Sequence, residues 1–469
     1  MTRVLSVTSE CVPLVKTGGL ADVAGALPGA LAAHGVDMRT ILPGYPKVLS
    51  AQPEAKPVHR FDDLFGGPAA VLRGTLGDTV LYILDAPHLY NRSGSIYLGP
   101  DGQDWPDNPF RFAALCMAAA VIATDGIDGW APQVLHLHDW QAGLTPVYLQ
   151  QRGATHVKTL ATVHNIAFQG LAPAHLRGAL ALPEAGFTRD GYEYWGKISA
   201  LKAGLVYATR LSTVSPTYAE ELMTPEFGMG LEGLLRQRAA DLTGILNGID
   251  EAVWQPPYSD LTGKAEHKRA LQQEFGLDPA EGPLCVVIAR LTGQKGLDLL
   301  LEALPALLAQ GGQMIVLGSG EPELEAAFRQ AAKTQPGVAV YIGYDEALSR
   351  RMMAGADATL VPSRFEPCGL TQLYGLRFGT IPVVSLTGGL ADTIINASAA
   401  GLAAGVATGL QFHPVTGLAL ANAFTRLGAL YRQRDVWAQM VRNAMAHPVG
   451  WDSSARAYAD LFAEMTGAE

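Results

Sequence analysis

The sequence predicts an α/β fold with two doubly wound domains, each built on a helix-covered parallel sheet. Short β-rich runs alternate with helical patterns along most of the chain, an order typical of parallel sheets. The pattern restarts after residue 280, and 469 residues exceed what one ordinary hydrophobic core organises. We therefore expect two domains of roughly 200 residues or more.

The predicted elements begin with a strand at Val4–Val7. Apolar residues at positions 20, 23, 24, 27 and 31 then have helical spacing, and Gly35 is suited to the end of that helix. The apolar run Phe112–Ala123 is too short to span a bilayer and predicts a core helix. Further strands are predicted at Met38–Leu42, Val134–Leu137, Thr159–Val163, Leu284–Ala289, Met314–Leu317, Val338–Ile342, Ala358–Val361 and Ile381–Ser385.

The boundary between the two domains is predicted near Ile245–Asp250, where Asn247-Gly248 is typical of a turn. An internal echo favours similar halves, because the hexapeptide Thr17–Asp22 recurs as Thr387–Asp392. Each copy is expected to follow a strand and to open a helix through a glycine-rich turn.

Composition excludes several classes of partner. With a net charge of -10, no broad basic face is expected for nucleic acid or an anionic membrane. The four cysteines are scattered without a C-x-x-C pair, which argues against a disulfide framework or a structural zinc site. The N-terminal residues do not resemble a secretory signal, so a cytoplasmic location is expected.

Two glycine-containing turns are candidate anion sites. Lys16-Thr17-Gly18-Gly19 lies just before the first helix, where free N–H groups and the helix dipole favour negative charge. The alternative is a tight loop with a solvated lysine. Arg290–Gly296 places two cations, Arg290 and Lys295, between a strand and a helix. Such cations stabilise a departing diphosphate, whereas without an anion they oppose the helix dipole.

Polar residues follow two strands of the first domain. His136 and His138 are expected on one face of their strand, directly before Asp139 and Trp140. His164-Asn165 ends the next strand. We interpret the histidines as a hydrogen-bonding cluster at a strand end rather than a metal site, because no further set of ligands accompanies them.

The loop Ser363–Thr371 leaves an apolar strand and enters a helix near Leu370. The N–H groups of Gly369, Leu370 and Thr371 are predicted to bind an anion. Glu366, just outside the turn, is expected to accept hydrogen bonds from sugar hydroxyls. Cys368 is interpreted as a small packed residue, with a reactive thiol at the helix start as the alternative.

Several common motifs are missing from the sequence. The first strand is not followed by G-x-G-x-x-G, and neither a P-loop nor a G-x-S-x-G elbow occurs. No D-x-D is present, which argues against a glycosyltransferase that holds a metal through that motif. Cations from lysine and arginine would then have to take the place of a metal, and Arg290–Gly296 offers them.

Taken together, these loops resemble those of bacterial glycogen synthases and plant starch synthases. The similarity spans nearly the whole chain in family order, and K-T-G-G-L with E-P-C-G-L-T is its most specific part. The matching strings are Lys16–Val23, His138–Trp140, Thr162–Asn165, Ile245–Asp250, Arg290–Lys295 and Glu366–Gln372.

The resemblance implies the GT-B fold, in which two Rossmann-like domains face each other across a deep cleft. The domains would be 1–245, on the acceptor side, and 246–449, on the nucleotide-sugar side, with 450–469 as a final helix returning to the first. The implied reaction moves glucose from ADP-glucose to the non-reducing end of an α-1,4-glucan with retention, without a metal or another cofactor.

The resemblance also implies roles for individual residues. Arg290 and Lys295 would neutralise the leaving diphosphate, Glu366 would hold glucosyl hydroxyls, and Asp139 and His164 would surround the reacting sugar. The nucleotide sugar would further contact Lys16, Gly18, Gly19, Asp22, Asn165, Asn247, Tyr344, Cys368, Gly369, Leu370 and Thr371. Arg92 and Tyr97 belong to a loop near the acceptor. Tyr374 occupies the position where related enzymes often have a second glutamate.

Retention has two possible routes at this stage. Double displacement needs a nucleophilic carboxylate, for which Asp139 is the candidate, whereas front-face attack relies on charge stabilisation by Arg290 and Lys295. We favour the second because cations outnumber carboxylates in these loops. Rival functions are a retaining GT-B enzyme that uses UDP-glucose, and a non-catalytic sensor of glucan or nucleotide sugar.

Overall fold

The computed structural model of the chain describes residues 1–258 and 261–467, and for Leu261 and Thr262 only the backbone. It forms two compact units: unit 1, Met1–Asn247 with Trp451–Glu469, and unit 2, Gly248–Gly450. The predicted domain limits differ from these by one or two residues. The predicted final segment 450–469 includes Ala468 and Glu469, which lie outside the described residues.

Unit 1 is built on one large sheet and one small sheet. In residues 1–247 the large sheet has nine strands in the order β12-β11-β7-β6-β1-β2-β5-β4-β3, and the small sheet has the order β8-β10-β9. The strands are β1 Thr2–Val7, β2 Val36–Pro43, β3 Lys56–Phe61, β4 Ala69–Leu76, β5 Thr79–Asp85, β6 Val134–His138, β7 Lys158–Val163, β8 Leu171–Pro173, β9 Glu193–Tyr194, β10 Lys197–Ser199, β11 Arg210–Thr213 and β12 Leu242–Gly244.

The large sheet is parallel, as predicted, over most of its width and adds an antiparallel edge. Its neighbours from β12 to β5 run parallel, as expected, but β4 pairs antiparallel with both β5 and β3. Only the residues 77 and 78 connect β4 to β5, and such a short link permits only an antiparallel pair. The helices of this part are α1 Gly19–Ala32, α2 Pro46–Ala51, α3 Pro87–Tyr90, α4 Asn108–Asp125, α5 Thr145–Gln151, α6 Ala200–Tyr207, α7 Pro216–Leu222 and α8 Glu232–Gln237.

Unit 2 contains a parallel sheet of six strands in its described residues. The strand order is β15-β14-β13-β16-β17-β18, and every neighbouring pair is parallel. The strands are β13 Leu284–Ile288, β14 Gln313–Gly318, β15 Val338–Ile342, β16 Ala358–Val361, β17 Ile381–Ser385 and β18 Leu410–Phe412. The helices are α9 Leu261–Glu274, α10 Leu297–Ala309, α11 Pro322–Thr334, α12 Glu346–Gly355, α13 Thr371–Phe378, α14 Gly388–Thr393, α15 Ala399–Ala403, α16 Gly417–Arg432 and α17 Arg434–Ala446.

The last helix, α18 (Asp452–Thr466), packs within unit 1. Its apolar face buries Tyr458 and Phe462 beside Val23 and Leu27 of α1, so this segment completes the core on one side of the large sheet. The predicted core helix at Phe112–Ala123 is confirmed as part of α4, where most of these side chains are buried. The described helices include none with the length and apolarity needed to cross a membrane.

A buried lysine supports α13, the helix that follows the predicted anion turn of unit 2. Lys264 Nζ donates to the carbonyls of Met353 and Ala354, near the end of α12, at 3.3 Å each. It also donates to the carbonyl of Phe378, the last residue of α13, at 3.2 Å. A positive charge at the C terminus complements the helix dipole. Burial lowers the pKa of Lys264 to about 7.

Candidate functional site

The glycine turn of unit 1 already holds an anion, the carboxylate of Glu10. Thr17 N–H and Gly18 N–H donate to Glu10 Oε2 at 2.5 and 3.1 Å, and the Thr17 hydroxyl donates to Oε1 at 2.8 Å. The prediction that these N–H groups are free was therefore wrong. Glu10 is almost fully buried, so the turn gives its charge the hydrogen bonds that burial demands.

The lysine of the same loop is paired but accessible. Lys16 Nζ lies 2.7 Å from Asp22 Oδ1, and the two side chains are 36% and 24% exposed. The ion pair spans the start of α1, which begins at Gly19. The first copy of the echo opens this helix as predicted, but β1 ends at Val7, ten residues before Thr17, so it does not directly follow a strand.

Of the predicted acceptor-side loop, Tyr97 reaches the glycine turn. Its hydroxyl donates to Glu10 Oε1 at 3.0 Å and is hydrogen-bonded to Ser9 Oγ at 2.7 Å. Arg92 instead forms a bidentate pair with Asp107, at 2.8 and 2.6 Å. Glu10 thus links Tyr97 to the Thr17-Gly18 turn, an arrangement that the sequence analysis missed. One feature of the sequence indicates such a role for Glu10, because it is a lone carboxylate shortly after the buried strand β1.

Glu10→Gln is expected to lower the free energy of unfolding by about 2 kcal/mol, because charge-assisted hydrogen bonds become neutral ones and an amide N–H faces other donors. Urea denaturation measures this loss. Hydrogen exchange at Thr17 and Gly18 should also accelerate. Glu54→Gln, at an exposed position, is the matched control. Unchanged stability and exchange in Glu10→Gln would contradict the anchoring role of this carboxylate.

The histidines of unit 1 form the predicted hydrogen-bonding cluster. The rings of His136 and His138 lie on the same side of β6, with centroids 4.1 Å apart. His136 Nε2 bonds the Thr162 hydroxyl at 2.7 Å, and His138 Nδ1 bonds His164 Nε2 at 2.9 Å. Burial lowers the pKa of His136 and of His164 to about 3, and that of His138 well below its usual value.

Asp139 supports the backbone at the end of β7. Its Oδ1 accepts the N–H groups of His164 and Asn165 at 2.6 and 3.3 Å. Burial raises the pKa of this carboxyl to about 7, and its φ of 55° lies in the left-handed region that non-glycine residues seldom adopt. Asn165 uses its own Oδ1 to accept the Ala167 N–H at 3.0 Å. Asp139, His164 and Asn165 are thus brought together, as predicted for neighbouring strand ends.

Asn247 lies at the end of unit 1, three residues after β12. It is 8% exposed, and its Oδ1 is buried without a hydrogen-bond partner among the described residues. An unpaired buried amide oxygen is costly, so this atom is a candidate for a ligand contact.

In unit 2, Lys295 and Glu366 lie together. Lys295 Nζ is 2.5 Å from Glu366 Oε2, which also accepts the Ser363 hydroxyl at 2.8 Å. The side chains of Lys295 and Glu366 are only 19% and 9% exposed. The sequence predicted neither the pair nor Ser363. Glu366 Oε1 has no hydrogen-bond partner among the described residues, so one carboxylate oxygen remains available.

The loop after β13 is tied to the loop after β16 by further bonds. Arg364 forms a bidentate pair with Asp298 at 2.7 and 2.6 Å, and its N–H donates to the carbonyl of Gln294. Gly296, at φ 66°, packs so closely that a Cβ would lie 2.0 Å from Pro362 O. These contacts fix Lys295 beside Glu366. Arg290 is exposed, and no carboxylate in the described part of the chain pairs with it.

The turn Cys368–Thr371 leads into α13 without a side-chain cap. Gly369 has φ 74°, a conformation suited to glycine. Cys368 is buried, in agreement with a packed residue. Gly388 and Gly389, from the second copy of the echo, pack against this turn: a Cβ on Gly388 would lie 2.0 Å from Glu366 O, and one on Gly389 2.3 Å from Cys368 O.

Two tyrosines of unit 2 differ in environment. Tyr344 is 75% exposed, and its hydroxyl donates to Glu346 Oε2 at 3.3 Å. Tyr374, at the position of the second glutamate in related enzymes, stacks on Trp254 with ring centroids 3.5 Å apart. Within residues 1–258 and 261–467, no group of three or more His, Cys, Asp or Glu side chains is arranged to hold a metal ion.

Comparisons with known proteins agree with both halves of this description. The family described as "Starch synthase catalytic domain" matches residues 3–237, and "Glycosyl transferases group 1" matches residues 269–443. The chain is 70% identical to a glycogen synthase of Paracoccus denitrificans over 99% of this chain and 100% of that one. It is 59% identical to a glycogen synthase of Jannaschia sp., covering 98% and 99% of the two chains.

A solved structure extends the similarity to the fold. The catalytic domain of Starch Synthase IV from Arabidopsis thaliana superposes with a TM-score of 0.87 at 30% identity, and covers 99% of each chain. The predicted GT-B class, with parallel-sheet α/β domains, is therefore confirmed. The full-length match to bacterial relatives shows that this chain belongs to the glycogen synthase family of GT-B glycosyltransferases.

Proposed function

We propose that the chain transfers glucose from ADP-glucose to the non-reducing end of an α-1,4-glucan, with retention of anomeric configuration. Membership of the family makes it a glycosyltransferase of glycogen synthesis, with a nucleotide-sugar donor and a glucan acceptor. The choice of ADP-glucose is supported by the Arabidopsis relative, which was solved bound to ADP and acarbose. ADP is the product that ADP-glucose would leave behind.

The observation that carries the proposal is the Lys295–Glu366–Ser363 arrangement. It places an ammonium group and a free carboxylate oxygen, Glu366 Oε1, side by side after the neighbouring strands β13 and β16. Both groups suit the transfer of a sugar from a diphosphate. The cation stabilises charge on the departing phosphate, and the carboxylate oxygen accepts hydrogen bonds from sugar hydroxyls.

We propose that each of the remaining residues contacts one part of the donor or the acceptor. Arg290 would bind the diphosphate with Lys295, aided by the N–H groups of Gly369, Leu370 and Thr371 beside Cys368, while Tyr344 would border the base. In unit 1, Lys16, Gly19 and Asp22 would bind the donor, and Gly18, whose N–H donates to Glu10, would let the backbone approach it closely. Asp139, His164, Asn165 and Asn247 would contact the reacting sugar. Tyr97 and Arg92 would lie near the acceptor.

We propose front-face attack as the route to retention. The acceptor hydroxyl oxygen forms the new bond to the anomeric carbon while the bond to the diphosphate oxygen breaks, and the hydroxyl proton passes to the departing phosphate. Asp139 is poorly suited to be a nucleophile, because Oδ1 holds two backbone N–H groups and its raised pKa leaves much of the carboxyl protonated at neutral pH. We further propose a cytoplasmic location, since all four cysteines are free thiols.

The proposal is tested by incorporation of labelled glucose into glycogen from ADP-glucose and, separately, from UDP-glucose. We expect efficient incorporation from ADP-glucose and at least about tenfold less from UDP-glucose, a difference of only about 1.4 kcal/mol in transition-state binding. The labelled glucose should be released by an amylase that cleaves α-1,4 bonds. Preference for UDP-glucose would overturn the donor assignment, and no incorporation from either donor would overturn the function.

A further inference from the structure

A line of hydrogen bonds crosses three neighbouring strands of unit 1 and ends at His164. Ser6 Oγ, on β1, lies 3.1 Å from His138 Nε2, on β6, and His138 Nδ1 lies 2.9 Å from His164 Nε2, just after β7. Ser6 and His138 are 1% and 0% exposed, so water does not compete for these bonds. We call the three residues the Ser6–His164 relay.

Counting protons restricts the relay to two arrangements. Burial lowers the pKa of both His138 and His164, so each ring is neutral and carries one N–H. One proton must then lie between His138 Nδ1 and His164 Nε2. If His138 donates it, His164 carries its own proton on Nδ1; if His164 donates it, Nδ1 of His164 is bare and accepts instead.

Ser6 selects between these arrangements. In the second one, His138 Nε2–H would donate to Ser6 Oγ, and the buried Ser6 O–H would have no acceptor among the described residues. A buried donor without an acceptor costs its full desolvation energy. In the first arrangement Ser6 O–H donates to His138 Nε2, His138 Nδ1–H donates to His164 Nε2, and every polar hydrogen of Ser6 and His138 is paired.

We propose that Ser6 and His138 are positioning residues that fix His164 as the Nδ1–H tautomer, so that His164 offers a hydrogen-bond donor to an oxygen of the transferred sugar. This assignment of the recipient rests on the proposed function. His164 is held at two points, because Asp139 Oδ1 accepts its backbone N–H while His138 Nδ1 bonds its ring at Nε2. His164 Nδ1 has no partner among the described residues, and unlike His136 Nδ1 it is not sealed from solvent.

A second line of bonds in the same sheet supplies a matched control. His136 Nε2 bonds the Thr162 hydroxyl, which bonds Ser212 Oγ at 2.6 Å, and in the described part of the chain no side-chain hydrogen bond connects this line to His164. Ser212 is buried in a strand of the same sheet, as Ser6 is. Ser212→Ala therefore removes an equivalent hydroxyl without touching the Ser6–His164 relay.

The test is nitrogen-15 NMR of ring-labelled histidines in the full-length protein without substrate, assigned with His138→Gln and His164→Gln. We expect His138 and His164 each to carry the proton on Nδ1. Ser6→Ala should give His164 as a mixture of tautomers and lower kcat about fivefold, the effect of one net hydrogen bond. Ser6→Thr should restore both properties, and Ser212→Ala should leave both unchanged.

A proton on His164 Nε2 in the native protein would overturn the proposal. So would a folded Ser6→Ala variant whose tautomers and kcat are unchanged, or a Ser212→Ala variant with the same mixture as Ser6→Ala. The NMR measurement requires no substrate, so it distinguishes failure of the relay from failure of the proposed glucosyl transfer. Absence of transferase activity would leave the expected tautomers in place.

Discussion

Lys295→Ala is expected to lower kcat at least about 100-fold, the scale of losing one preorganised charge that faces a developing negative charge. Lys295 Nζ is held against Glu366 Oε2, and the loop that carries it is tied to Arg364 and Pro362, so the ammonium is positioned before substrate binds. Steady-state transfer from ADP-glucose measures the effect. The loss should lie mostly in kcat, because the charge matters most as the diphosphate departs.

The same substitution leaves a buried carboxylate with one donor, Ser363, so its effect on folding must be separated from its effect on chemistry. The double variant Lys295→Met with Glu366→Gln removes both charges and should regain stability while kcat stays low. Lys333→Ala, an exposed lysine of α11, is the matched control. A folded Lys295→Ala enzyme with near-normal kcat would contradict the assignment.

Regular, local patterns made most of the fold predictable. The strands β13 to β17 lie close to their predicted positions because buried parallel strands are short apolar runs. The sequence did not predict the antiparallel strands β3 and β4. None of the residues Lys56–Phe61 is buried, and in β4 half-buried residues alternate with buried or exposed ones. Such partly solvated strands at a sheet edge give a weak sequence signal.

The candidate site was predictable in its positions but not in its pairings. Strand ends identified Lys295, Glu366 and His164, since the carboxyl ends of parallel strands meet at one edge of a sheet. Which charges meet depends on distances between distant segments: Lys295 and Glu366 are 71 residues apart, and Tyr97 and Glu10 are 87 apart. Sequence patterns contain no such distances. The sequence therefore predicted that the glycine turn binds the anion of a ligand, whereas in the structure it binds the carboxylate of Glu10.

Acidification is expected to destabilise unit 1 steeply between pH 6.5 and about 4. His136, His138 and His164 are neutral in the fold, and the values of about 3 for the pKa of His136 and of His164 lie far below 6.5. In this range the unfolded chain binds more protons at these sites, so stability falls as pH falls, by up to about 1.4 kcal/mol per pH unit for each ring.

Asp139 acts in the opposite direction. Its pKa is raised to about 7 in the fold. Below that pH the folded chain keeps a proton that the unfolded carboxyl releases. Acidification therefore raises the free energy of unfolding by about 1.4 kcal/mol per pH unit through this group. The three histidines and Asp139 together lower the free energy of unfolding by about 3 kcal/mol for each pH unit of acidification. Between pH 6.5 and 4 this loss amounts to about 7 kcal/mol. Whole domains are stable by only about 5–15 kcal/mol, so acidification should remove a large fraction of the stability of unit 1.

His136→Met tests this balance, because no hydrogen bond among the described residues joins His136 to His138 or His164. Its ring packs against Tyr458 and Phe462, which a thioether chain also contacts, and Thr162 keeps its bond to Ser212. Urea unfolding at a series of pH values should give about half the native acid slope. His156→Gln, at an exposed histidine, is the control and should retain the full slope. An undiminished slope in His136→Met would mean that acid stability is governed by groups other than these buried rings.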